Sequence, residues 1–211
     1  QFTNLVNPPS SDDFTSQTLG LQWQWNANWN NDWYSLTANK KHLRLYPQSL
    51  SESKSLIDYP AILLQKLPAS EFEASVKLKL DSTIEGERAG LVLYGLNYAW
   101  IGLQRHQASY LLQYVTCNSI NLNLRCQEKI VQSKSISQSD IYLKIELSAE
   151  GVAQFYYSEQ GKEFMPFGTQ FSAVQGRWVG AKLGLFSSSP TKLVEELSPK
   201  AKNTKSTKTF A

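Results

Sequence analysis

The stretch EFEASVKLKL, residues 71–80, alternates without a break: Phe72, Ala74, Val76, Leu78 and Leu80 are apolar, while Glu71, Glu73, Ser75, Lys77 and Lys79 are polar. In an extended chain successive side chains point to opposite faces, so this pattern gives a strand with one dry face and one wet face. Such a strand needs an apolar layer to lie against. The same alternation marks 42–46, 98–105, 109–116, 141–147 and 153–157, and near the start Leu21, Trp23 and Trp25 alternate with Gln22, Gln24 and Asn26. The more continuously apolar runs 88–95 and 178–186 read as strands covered on both faces. No window of about twelve residues shows a helical stripe. Turn signals at Glu85-Gly86-Glu87, Gly95-Leu96-Asn97, Glu150-Gly151 and Glu159-Gln160-Gly161-Lys162 fall between the runs, where hairpins must reverse. Many short strands joined this way predict an all-β, two-sheet antiparallel β-sandwich or jelly roll. No repeat at a period of about 20–50 residues is present, which argues against a solenoid or propeller.

A chain of 211 residues with 41% hydrophobic and 12% aromatic content has enough apolar surface for one real core, so general disorder is excluded. No run approaches the roughly 18–20 apolar residues of a membrane-spanning helix, and no membrane partner is expected. The chain opens on Gln1 rather than Met, so it is expected to have been processed or cut from something longer, and the missing leader says little about export. Residues 1–11, with Pro8-Pro9-Ser10-Ser11, read as an interdomain linker, residues 12–190 as the sandwich, and 191–211 as a Lys-rich, solvated tail. The net charge of +3 lies in that tail, since residues 192–211 hold five Lys and two Glu and the remainder has 16 basic against 16 acidic residues. A neutral body lacks the basic face of a nucleic-acid binder, so no nucleic-acid partner is expected.

The two cysteines, Cys117 and Cys126, flank a polar segment. Joined, they would staple a loop and suit an oxidising, secreted or periplasmic location; unpaired thiols are the other reading. Neither cysteine spacing nor a nearby His completes a metal ligand set, and no cofactor is expected. His42 and His106 stand outside any nucleophile or zinc motif. Glycoside hydrolysis needs two carboxylates flanking the scissile bond, one with a raised pKa. The close pairs here are Asp12/Asp13, Glu71/Glu73 and Glu85/Glu87. Glu71 and Glu73 lie on the wet face of their strand, and Glu85 and Glu87 flank a turn glycine. No catalytic residue is assigned.

Aromatic residues are the other informative class. Trp23, Trp25, Trp29 and Trp33 fall within eleven residues. Trp23 and Trp25 share the face of Leu21, where core packing accounts for them. Trp29 and Trp33 stand in or beside the Asn-rich segment 26–32, a loop by composition, where an aromatic ring is suited to stacking on a sugar or anchoring an interface. On 98–105 the aliphatic face of Ala99, Ile101 and Leu103 is opposed by Tyr98, Trp100 and Gln104, which makes these three candidates for a groove or an interdomain contact.

Taken in order, Asp12-Asp13-Phe14, LGLQWQWNAN (19–28), WYSLTA (33–38), LRLYP (43–47), ERAGLVLYG (87–95), YAWIGLQR (98–105), FYYSEQGKEFMPFG (155–168) and WVGAKLGLF (178–186) resemble the C-terminal concanavalin A-like β-sandwich of glycoside hydrolase family 43, over about residues 4–190. The resemblance implies a β-xylosidase or α-L-arabinofuranosidase parent whose catalytic carboxylates lie on a separate N-terminal propeller. The propeller and a xylo- or arabino-oligosaccharide would then be the partners. It also implies that a loop of the sandwich places an aromatic at the propeller's active-site mouth; the matching stretch is Arg177-Trp178-Val179-Gly180, so Trp178 and Arg177 are the candidates. An independent lectin-like carbohydrate-binding module is the alternative. Family members end on a further Asp- and aromatic-rich strand, whereas Lys192–Ala211 has no alternating pattern, so that last strand is expected to be missing and its sheet position to be left open to association.

Overall fold

The computed structural model describes residues 9–50, 55–118, 126–176 and 179–190. Its strands are β1 (Trp23–Trp25), β2 (Tyr34–Ser35), β3 (Arg44–Leu45), β4 (Gln48–Ser49), β5 (Ile62–Lys66), β6 (Phe72–Lys79), β7 (Arg88–Tyr94), β8 (Tyr98–His106), β9 (Ser109–Cys117), β10 (Lys129–Ile136), β11 (Asp140–Leu147), β12 (Val152–Ser158), β13 (Met165–Pro166), β14 (Phe171–Ser172) and β15 (Lys182–Ser189). Two single 3-10 turns, Asn31–Trp33 and Leu56–Asp58, are the helical elements among the described residues.

The larger sheet runs β1-β5-β15-β7-β8-β9-β10, with β4 added in parallel to the end of β15. The smaller sheet runs β13-β12-β11-β6, with β14 also on β12, and β2 and β3 form a separate ribbon. Apart from the β4–β15 pairing, the ladders are antiparallel. The chain is therefore the all-β, two-sheet sandwich that its alternation predicts.

Between the sheets lies the first core. The smaller sheet contributes Ile141, Leu143, Ile145 and Leu147 from β11, Ala153, Phe155 and Tyr157 from β12, and the half-buried row Phe72, Ala74, Val76 and Leu78 from β6. The larger sheet answers with Leu91, Leu93, Ala99, Ile101, Leu103, Leu112 and Tyr114. The outer face of the smaller sheet is wet and charged. There Lys144 Nζ donates to Glu146 at 2.6 Å and Glu73 at 3.2 Å, and sits 4.7 Å from the centre of the Tyr156 ring.

The larger sheet is apolar on both faces. Its outward face carries a second core of Ile62, Leu64, Val92, Tyr98, Trp100, Val115, Cys117 and Phe186, covered by Leu50, Leu56, Tyr59 and Ala61. Phe186 is registered opposite Gly90, which is itself opposite Gly102, so two positions without side chains flank its ring. Trp100 meets that ring edge-on at 5.3 Å. The cover is tied down by Tyr59, whose hydroxyl donates to the Ser187 carbonyl and accepts from Gln48 N. Burial pushes the Tyr59 phenol well above its ordinary value.

Several expectations are corrected. Leu21 is 96% exposed, because β1 begins only at Trp23 and the residue belongs to the preceding turn. The strand read at 178–186 starts at Lys182 instead of 178 and continues through Ser187–Ser189, and the segment 191–211, where a further strand is expected to be missing, lies outside the described residues. Strands β5 and β10 are additions to that reading; β10 is largely exposed, Ile130 and Val131 included, with Ile136 its one buried residue.

Candidate functional site

One end of the larger sheet gathers features that the sequence presents separately. The register places Trp23 opposite Gln65 and Gln65 opposite Leu183, with Lys66 opposite Lys182 and Lys182 opposite Tyr94. Leu21, the β7–β8 turn and the segment leading into β15 therefore lie at the same end. The first residues of the described chain arrive there too, since Gln65 Nε2 donates to the Ser10 carbonyl at 2.9 Å. The segment before β15 is held against the β7–β8 turn: Leu96 N donates to Gln175 O at 3.3 Å, and a Cβ on Gly95 would come within 1.8 Å of Val174 O. A side chain at position 95 would displace that loop. In the segment before β15 Val179 is 51% exposed, and Leu21, 96% exposed, precedes β1 at the same end of the sheet. Arg177 and Trp178 lie outside the described residues. At the rim Lys182 is held below the ordinary lysine range, first by burial and then by the charge of Lys66.

The Asp12-Asp13-Phe14 motif fixes the approach to this end. Asp12 accepts from Phe14 N and Trp23 Nε1, both at 2.8 Å, and from Gln22 Nε2 at 3.1 Å, and the Phe14 ring stacks on Trp23 at 5.9 Å. Asp13 accepts from the Thr15 hydroxyl and amide, and the hydroxyl is the main cause of its lowered pKa. The pair is a structural staple, a role that spacing alone did not reveal.

The candidate aromatic residues separate into two environments. Trp29 is 56% exposed, with Tyr34 beside it at 6.3 Å. Trp33 turns inward from the 3-10 turn, meets Trp25 edge-on at 5.4 Å and packs on the second core. Tyr98 and Trp100 are fully buried beneath the chain's own cover, so neither offers a ring to a ligand, and the proposed groove on that face of β8 is filled. Gln104 is half-buried and donates weakly to the Gly86 carbonyl at 3.5 Å.

In place of a groove there is a polar cluster. The Tyr98 hydroxyl donates to Glu128 Oε1 at 2.8 Å, accepts from Leu56 N at 2.8 Å and lies 3.0 Å from Ser55 Oγ. Trp100 Nε1 donates to the same carboxylate oxygen at 3.3 Å, and Arg88 pairs with both oxygens of Glu128. Burial, reinforced by the Glu128 charge, holds the Tyr98 phenol far above its ordinary range. The Cys117–Cys126 disulfide lies alongside, its sulfurs 3.7 and 3.9 Å from Ser55 Oγ.

The remaining carboxylates of interest also have structural partners. Glu85 is bound by Gln107 N and His106, and Glu87 accepts from the Ser82 and Ser189 hydroxyls. Among the described residues the carboxylates with displaced pKa values, Asp13, Glu85, Glu146 and Glu150, are lowered, the reverse of what a glycosidase proton donor requires. Among the described residues no group of three or more His, Cys, Asp and Glu gathers to hold a metal ion.

Two sheets closed on one apolar layer, with a second layer sealed on the outer face of the larger, define a concanavalin A-like sandwich domain. The family model of the β-xylosidase C-terminal concanavalin A-like domain matches residues 11–195, and the chain belongs to that family, the accessory C-terminal domains of glycoside hydrolase family 43. A β-xylosidase of Formosa agariphila is 29% identical over 204 residues, covering 87% of this chain and 33% of its own length. A putative β-xylosidase of Xylanibacter ruminicola is 26% identical over 174 residues, covering 82% of this chain and 30% of its own. Among solved structures, a bifunctional family 43 and carbohydrate-esterase protein of Bacteroides eggerthii superimposes with a TM-score of 0.73 at 26% identity, over 86% of this chain and 23% of that one. The chain thus spans about a third of the length of the curated relatives it matches.

Proposed function

We propose that this domain docks on the catalytic propeller of a family 43 glycosidase and helps shape a pocket for xylo- or arabino-oligosaccharides, serving xylan or arabinoxylan degradation from beside the reaction centre. The observation that carries this reading is the rim: exposed Leu21 and Val179 stand at the end of the sheet where Ser10 docks on Gln65. The described chain is anchored at this end through Ser10, where the loop before β15 is braced by the Gly95 contact. A partner that fully covers an exposed aliphatic side chain at this end of the sheet gains about 1.5–3 kcal/mol from the apolar area removed from water. By family resemblance Trp178, with Arg177, is the aromatic that reaches the active-site mouth. The disulfide suits an oxidising compartment. The test is to express a family 43 propeller with and without this domain, and with Leu21→Asp/Val179→Asp or Trp178→Ala. Loss of propeller stability with the rim variant, and loss of turnover on short xylosides with the Trp178 variant, are expected. Unchanged stability and turnover on removing the whole domain overturns the reading.

A lectin-like module is the second reading, favoured by the exposed ring of Trp29 beside Tyr34. Calorimetry with xylo-oligosaccharides decides it: heat that disappears in Trp29→Ala supports direct sugar binding, and no heat at millimolar ligand removes it.

A further inference from the structure

We infer that the outer edge of β6 is a contact surface between two copies of this chain, paired antiparallel about Ser75. Strand β6 ends the smaller sheet and is paired on one side along its whole length, from Phe72 opposite Leu147 to Lys79 opposite Asp140. Among the described residues no strand pairs with its other side. The consequence is visible in burial: the inward residues of β11 are buried, whereas Phe72, Ala74, Val76 and Leu78 of β6 are only half-buried. An edge of eight residues with no register shift, Pro or Gly presents a regular row of backbone donors and acceptors. The other sheet edges are blunted. Strand β1 has three residues, β13 and β14 have two each, and β10 is interrupted by a register shift between Ile130 and Gln132.

The sequence of β6 identifies the occupant, because it is complementary to itself. With Ser75 on a two-fold axis, Glu73 faces the second copy's Lys77 and Glu71 faces its Lys79, each pair occurring twice by symmetry. On the opposite face Phe72 meets Leu78 and Ala74 meets Val76, so the two half-buried rows join. Moving the axis to Val76 sets Glu71 against Asp81, and an offset of one residue puts the apolar row of one copy on the wet face of the other. Glu73 and Lys77 have contacts with Lys144 and Asp140 on the β11 side, yet their side chains stay 60% and 54% exposed and available from the edge. The surface belongs to the smaller sheet, so its fate is independent of the rim described above.

Sedimentation velocity of the chain from about 1 to 100 µM, a span that brackets a micromolar Kd, tests the inference. A dimer that grows with concentration is expected. Glu71→Lys/Glu73→Lys makes the edge entirely basic and Lys77→Glu/Lys79→Glu makes it entirely acidic, so each variant alone should dimerise at least about tenfold more weakly. Mixed one to one, they should associate again, since every Lys then faces a Glu. If either variant fails to fold, Ser75→Lys, which brings two ammonium groups together on the axis, replaces it with the same expectation. A monomer at 100 µM, a dimer indifferent to these changes, or a monomer whose β6 amides are protected from hydrogen exchange by another segment of the same chain overturns the inference.

Discussion

Arg88 and Glu128 face each other in the second core, the guanidinium donating to both carboxylate oxygens and lying 5.0 Å from the centre of the Trp100 ring. Arg88 Nε also donates to Ser188 Oγ at 3.2 Å, so one cation joins β7, β15 and the segment before β10. Both side chains are largely buried. Removing one partner of such a pair strands the other charge out of water, which costs more than the pair itself contributes. Glu128→Gln is therefore expected to lose about 3–5 kcal/mol of stability in urea titrations. The double change Arg88→Met/Glu128→Leu should lose less than Glu128→Gln alone.

The disulfide closes a short loop, Cys117 and Cys126 being nine positions apart. Loop-closure entropy gives such a bridge about 2–3 kcal/mol. Reduction, or Cys117→Ser/Cys126→Ser, should lower the urea midpoint accordingly. The change should also raise hydrogen exchange at Leu56, whose amide donates to Tyr98 beside the sulfurs.

Exposed and buried tryptophans are expected to respond in opposite ways. Trp29→Ala should change stability by no more than about 0.5 kcal/mol, as surface substitutions do. Trp100→Ala should cost about 3–5 kcal/mol, because it empties a site walled by Phe186 and Arg88 and removes a donor to Glu128. Chemical denaturation of both variants checks the contrast.

Acid should weaken the domain over a defined range. The folded-state pKa values of Glu146 and Glu85 lie below the ordinary glutamate value of 4.5, held down chiefly by Lys144 and by the Gln107 amide. The unfolded chain then binds more protons near that value, so stability rises with pH through it, is fully present above it, and is lost as pH falls through the lower folded values. Urea midpoints at fixed ionic strength should be flat from pH 7 to about 5.5 and fall below about 4.5. Lys144→Met should shrink the acid loss because it removes the principal cause for Glu146.

The smaller sheet was legible because water covers one of its faces: Ile141, Leu143 and Ile145 alternate with Tyr142, Lys144 and Glu146, and the period states which row is inside. The larger sheet defeats that logic. With apolar layers on both sides, the Tyr98–Trp100 row looks like a ligand-binding face unless the residues covering it are known, and Leu50, Leu56 and Tyr59 come from a segment with no regular period. Strand β10 lacked a signal because Ile136 is its one buried residue, so no apolar row marks an inner face. At the rim, Gly95, Val174 and Ser10 owe their roles to register between strands distant in sequence, which no local pattern encodes. In the sequence Asp12 stands as half of an acid pair, but its hydrogen bond from Trp23 follows from tertiary geometry.

Strand β15, the last in chain order among the described strands of the larger sheet, lies between β5 and β7. During translation those two neighbours leave the ribosome long before Lys182–Ser189 is made, and neither can satisfy its inner backbone until that segment threads between them. Closure of the sheet is therefore a late event with high contact order, and β5 and β7 both stay unjoined while the residues from Tyr94 to Lys182 are made. A chaperone that shields β5 and β7 over that interval is expected to raise the yield of folded domain.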